Sequence, residues 1–124
     1  MSASLSHKQQ ISANQEMAKH LKTLHADSVL GSASRQWCMT LYFYMAVHHV
    51  EEQLQNKMFS PSSSHAVRKK NIRHVWGTAQ SDAVLGYMDL ETHSRETRYD
   101  GMVPTDQDLA DAESQLNDVL TCLV

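Results

Sequence analysis

The sequence is poor in the residues that break helices. Two prolines, Pro61 and Pro104, and four glycines punctuate 124 residues, which favours long helices joined by few turns. No segment alternates apolar and polar residues over a useful length, so no strand is expected. Cysteine is scarce too, with Cys38 inside an apolar run and Cys122 near the C-terminus. Such a pair suggests buried or half-buried thiols in a reducing compartment, with a single bridge as the alternative. No basic stretch leading into an apolar one opens the sequence. A signal peptide is therefore not expected, and the chain is read as cytoplasmic. The main apolar run, Trp37 to Val47, falls far short of the roughly 20 residues that span a bilayer. Positive charge is not in excess either: the formal net charge is −3 with histidine neutral. No global basic field draws in nucleic acid, so any such contact has to use a local patch.

The length is that of one domain, residues 1–124, able to bury a real core without staples. Within it, residues 35–58 dominate. Between Trp37 and Val47 only Thr40 is neither hydrophobic nor aromatic, and the line continues through Val50, Leu54 and Met58. A run this long exceeds the usual strand and predicts a helix buried on most of its circumference, with Trp37, Leu41, Tyr44 and Val47 in the core. Arg35, Met39, Tyr42, Ala46 and His49 recur at three- to four-residue steps, so one core-facing stripe is polar at both ends.

Four more helices flank it. Residues 1–10 are polar and expected to fray at the start. A first amphipathic helix is read over residues 7–29, on Ile11, Met17, Ala18, Leu21, Leu24 and Ser28. Gly31 is expected to end it, and Ser32 or Ser34 to cap the next. Pro61 breaks the chain after the central helix. A third helix starts near Ser63 and carries HAVRKKNIRHVW; a fourth covers residues 82–99, with Leu85, Met88 and Thr92 on its apolar face. Thr105 followed by Asp108 resembles a capping box. It opens a last helix with Leu109, Ala112, Leu116, Val119 and Leu123 on one stripe. The fold class is an all-α bundle of about five helices.

Three polar groupings stand out in that frame. His48, His49 and Glu52 lie within one turn where the central helix leaves its apolar half. A metal there needs further ligands from another helix, and neither HExxH nor a pair of Glu-x-x-His motifs is present. The second grouping, His65, Arg68, Lys69, Lys70, Arg73 and His74, is the most basic segment, with Lys57 flanking it. It suits a phosphate backbone or simply a solvated helix face. The third is Arg95, Arg98 and Tyr99, spaced to share one face of the fourth helix. Two close arginines repel unless an anion or carboxylates lie nearby. Glu51, Glu52 or Asp89 are candidate carboxylates, and phosphate is the natural anion for paired guanidinium donors.

The central SRQWCMTLYFYMAVHHVEEQL resembles the second helix of HEPN domains, in which a start rich in small residues leads into a Tyr/Phe-Tyr-x-Ala-x-His pattern. The later LETHSRETRYDG is similar to the segment that closes the fourth HEPN helix. The resemblance covers roughly residues 12–123. It implies an antiparallel helical bundle, often dimeric, found in toxin–antitoxin, anti-phage and RNA-processing systems. Active HEPN ribonucleases carry Arg-x4–6-His; here Arg95 stands at the family position, with Tyr99 and Asp100 where the histidine would follow. Arg68 and His74 match the spacing on the preceding helix.

Two functions follow from the resemblance. In the first, the chain acts on RNA, as a binding effector or a metal-independent endoribonuclease. Arg95 and Arg98 then hold phosphate, His49 or His65 transfers protons, and Tyr99 orients the phosphate. Arg68, Lys69 and Arg73 add nucleic-acid contacts, and no metal or cofactor is needed. In the second, it is a non-catalytic module that binds a nucleotide or assembles with a partner protein or a second copy. A histidine-based metal site in the bundle is a third reading.

Overall fold

The apolar run becomes the axis of the molecule. The computed structural model describes residues 4–124, and these residues form five helices and no strand. They are α1 (His7–Lys22), α2 (Gly31–Asn56), α3 (His65–Trp76), α4 (Ser81–Tyr99) and α5 (Asp106–Cys122). No helix is long and apolar enough to cross a membrane among the described residues. Every other helix packs on α2; α3 and α5 also pack on α4, and α1 reaches α5 through the Lys22–Glu113 ion pair. Helices α1 and α4 run antiparallel to α2, whereas α5 runs parallel to it, Tyr42 meeting Glu113 and His49 meeting Leu123. His7 at the start of α1 meets His48 near the end of α2, and Ala18 on α1 meets Cys38 near the start of α2. Both cysteines are free thiols.

Several helix ends differ from expectation. Residues 7–10 are not frayed: Ser6 caps α1 in a reciprocal capping box with Gln9. Residues 1–3, which share the expectation of fraying, lie outside the described residues. Helix α1 also stops early, at Lys22, where the Thr23 hydroxyl donates to the His20 carbonyl. Gly31 then begins α2 rather than ending α1. The Asp27 carboxylate accepts from the Val29 and Leu30 N–H groups at 2.8 and 2.7 Å, satisfying donors ahead of the helix. Ser32 and Ser34 therefore sit inside α2 and cap nothing. Glycine is required at 31, because a Cβ there would come within 2.7 Å of the His25 carbonyl oxygen.

The far end of α2 is closed by Met58, not by Pro61. Met58 has φ 71°, its N–H bonds the Gln55 carbonyl, and the next N–H, from Phe59, reaches back to Leu54. This is the Schellman arrangement, in which Phe59 folds back against the core.

The core centres on Met39, Tyr42, Phe43, Ala46, Val50 and Leu54 of α2, with Tyr87 and Leu90 of α4 and Leu116 and Val119 of α5. The polar-ended stripe through Met39, Tyr42 and Ala46 thus faces inward. The other expected core set is only partly inside. Val47 is buried, Leu41 and Tyr44 are half-buried, and Trp37 is 60% exposed. The reason is placement: α3 starts against Phe43 and runs toward the end of α2, where Lys57 lies over the Trp76 ring, leaving the stripe nearer the start of α2 uncovered. Helix α4 is likewise turned from the expected face. Leu85 is 61% exposed, whereas Val84, Tyr87, Glu91, Ser94 and Thr97 are buried. Three of those five are polar, so an apolar pattern could not find the stripe.

Candidate functional site

Helices α2, α3 and α4 meet along a polar seam. Ser64 caps α3, accepting from the Val67 N–H at 3.1 Å, and sets the first turns of that helix against the other two. His65, Arg68 and Lys69 then point inward rather than to solvent. Arg68 Nε donates to Glu51 Oε1 at 2.8 Å, and the Ser62 N–H donates to Glu51 Oε2 at 3.2 Å. Lys69 Nζ and Arg95 Nη2 both reach Glu91 Oε1, at 2.9 and 3.0 Å. The two carboxylates are buried, so each depends on its cations. Burial alone would push the Glu51 carboxyl up, but hydrogen bonds from Ser62 and Arg68 together hold it below its ordinary range.

His65 belongs to this seam. Its ring lies 5.8 Å from the Phe43 ring, and Arg68 Nη1 donates to Nδ1 at 2.9 Å. Nδ1 must then be the acceptor, which places the proton of the neutral ring on Nε2. Burial, and then the Arg68 charge, lowers its pKa and favours that neutral form. Behind it the oxygens of Tyr87, Glu91 Oε2 and Ser94 Oγ are buried without a protein partner, and burial raises the Tyr87 phenol.

Arg98 continues the face toward the open end of the seam. Its guanidinium lies 5.6 Å from the Tyr44 ring and 5.4 Å from the Tyr99 ring, and Nη1 donates to the Tyr44 hydroxyl at 2.9 Å. It makes no ion pair among the described residues. Aromatic contacts hold this cation in place of a carboxylate.

The structure therefore brings together His65, Arg68, Lys69, Arg95, Arg98 and Tyr99. It does not bring His49 to them. His49 lies six residues beyond Phe43 on α2, about 120° around the helix from it. Its Nε2 is 2.9 Å from the Leu123 carbonyl, burial lowers its pKa, and it secures the end of α5. His48 faces α1, with its Nδ1 3.0 Å from His7 Nδ1, and Glu52 reaches Lys8 on the same helix, so His49 diverges from the other two. No group of three or more His, Cys, Asp and Glu side chains could hold a metal ion among the described residues. Arg73 is exposed, and His74 contacts Phe59 edge-on, apart from Arg68.

Sequence reasoning overlooked Glu91. Asp89, a carboxylate considered for the arginines, accepts from Gln115 instead, and Glu51 serves Arg68. The available signal was the four-residue spacing of Glu91 and Arg95.

Comparison with family models, with curated proteins and with solved structures found no match to this chain. What the face can do rests on its own chemistry. It carries four cations, Arg68, Lys69, Arg95 and Arg98, against two carboxylates, Glu51 and Glu91. It is locally basic on a chain whose formal net charge is negative.

Proposed function

We propose that the chain is an HEPN-like module that acts on RNA through the face shared by α2, α3 and α4, with Arg95 and Arg98 holding phosphate. The observation that carries this reading is Arg98, a guanidinium ordered by two tyrosines and the Ser94 carbonyl and paired with no carboxylate among the described residues. Its fixed fork of donors suits phosphate oxygens. Arg95 is 58% exposed and shares Glu91 with Lys69, so it has donors to spare. Lys69 and Arg68 are committed to carboxylates and shape the site more than they contact a ligand.

The test is the salt dependence of binding to single-stranded RNA. Each neutralised phosphate contributes a slope of about −0.7 in log K against log salt, and Arg98→Ala should flatten the slope by about that amount. Salt-independent binding, or an unchanged slope in the variant, would count against the proposal. The dimer or partner-protein assembly that the resemblance implies, and a cytoplasmic location, belong to the same proposal; light scattering checks the first.

Catalysis is a second reading, favoured by His65. A histidine kept neutral beside cations is suited to proton transfer at a 2′-hydroxyl or a leaving oxygen, provided it leaves Arg68 when it must accept on Nδ1. Cleavage should then persist in excess chelator and leave 2′,3′-cyclic phosphate ends. His65→Ala should slow it by about 10²–10⁴ with binding retained. His49→Ala should leave the rate near wild type, because that ring serves the Leu123 carbonyl. Absence of cleavage leaves the binding module as the function.

A further inference from the structure

Trp37 is the anomaly of this fold. It lies in the most apolar stretch of the sequence, yet it is 60% exposed while the other tryptophan, Trp76, is 4% exposed. It borders a cleft of about 210 Å³ lined by Gln36, Trp37, Thr40, Thr97 and Arg98. We propose that this cleft takes one unpaired nucleobase of single-stranded RNA, stacked on the Trp37 indole with its phosphate directed to Arg98.

The chemistry of the walls fits a base better than an aliphatic side chain. The Thr40 and Thr97 hydroxyls donate to the Gln36 and His93 carbonyls, and so turn lone pairs to the cleft. Gln36 spends its amide hydrogens on the Gly101 and Met102 carbonyls, which leaves its Oε1 as a further acceptor. The cleft thus presents acceptors for an exocyclic amino group beside a flat aromatic surface and a guanidinium. An exposed indole next to a cation is the combination that single-strand binding surfaces use. Tyr99, 75% exposed and in contact with Arg98, extends the aromatic surface along the direction of a strand.

The proposal rests on the phosphate reading above, and one titration separates the two. Oligoadenylate and inorganic polyphosphate are added to wild type, Trp37→Ala and Trp37→Phe while tryptophan fluorescence and binding are followed. Trp76 is remote from solvent and serves as the internal reference. Oligoadenylate should quench the wild type and polyphosphate should not. Trp37→Ala should weaken oligoadenylate about 5- to 150-fold, the usual worth of one stacked base, and leave polyphosphate unchanged. Trp37→Phe should recover part of the loss. Equal affinity of Trp37→Ala and wild type for oligoadenylate, with polyphosphate still bound, overturns stacking alone. If neither polymer binds the wild type, the phosphate reading fails and this one fails with it. A Trp37→Ala protein that binds RNA normally but loses self-association or a protein partner would assign the cleft to that partner and overturn the proposal.

Discussion

Changing Glu51 to glutamine keeps the shape of the side chain and removes the charge that Arg68 meets. Arg68 is 11% exposed and Glu51 7%, with Nε and Oε1 2.8 Å apart. The variant therefore leaves a guanidinium in the seam without its counter-charge, and also weakens the Ser62 N–H bond. Breaking a buried pair from one side costs about 3–5 kcal/mol. For a domain of this size that lowers the melting temperature by roughly 10–20 °C. Replacing both partners together, Glu51→Leu with Arg68→Met, should recover most of the loss, since no charge is then stranded. Denaturant unfolding of wild type, both single variants and the double variant closes the cycle.

Acid supplies a second readout. The Glu51 carboxyl is held below its ordinary value near 4.5, so its contribution is complete above that pH and is lost as pH falls through the lower folded value. The gap between wild type and Glu51→Gln should shrink accordingly. A Glu51→Gln cost within about 0.5 kcal/mol at neutral pH, the range of surface sites, would refute the seam as a structural element.

Three further outcomes follow. Phe43→Ala should cost about 3–5 kcal/mol, whereas Trp37→Ala should stay within about 0.5 kcal/mol, and denaturant midpoints distinguish them. Burial first of all lowers the pKa of His25, His48, His49 and His65 from an ordinary value near 6.5, so the unfolded chain takes up protons before the folded one does. Stability should be full above about pH 6.5 and fall below it, with His48→Gln flattening the profile of melting temperature against pH. Met58→Gly should stabilise the fold by about 0.5–1 kcal/mol, because a left-handed residue without a Cβ ends α2 at less strain. An unchanged or lower midpoint would show that Met58 contributes something that its 92% exposure does not reveal.

The helical class and the identity of α2 as the axis were legible because the apolar run is long and strand-like alternation is missing. The capping box at Thr105 and Asp108 was legible too, since its residues lie three apart in the sequence and bond each other across that interval. The start of α2 was not. Asp27 satisfies the donors there from outside the helix, and no propensity rule marks Gly31 as a first residue when its role is to clear the His25 carbonyl. The exposure of Trp37 depends on which half of α2 is covered by α3, a tertiary fact. At the candidate site, periodicity placed Arg95 and Arg98 on one helix, but their partners come from α2 and from a buried carboxylate, Glu91, whose own helix face looked polar. His49 looked like a neighbour of the basic helix by sequence, and the pitch of α2 turns it toward α5 instead.

The most direct measurement of phosphate binding by this face is a melting curve and an RNA-binding curve on one sample of the Arg95→Ala/Arg98→Ala variant. Lys69 still partners Glu91 in that variant, and Arg95 is 58% exposed, so stability should change by less than about 1 kcal/mol. Binding to single-stranded RNA should weaken at least about tenfold, since each charge-assisted contact is worth roughly 1.5–3 kcal/mol. Unchanged binding, together with a large drop in melting temperature, would show that both arginines serve the fold and would contradict the assignment.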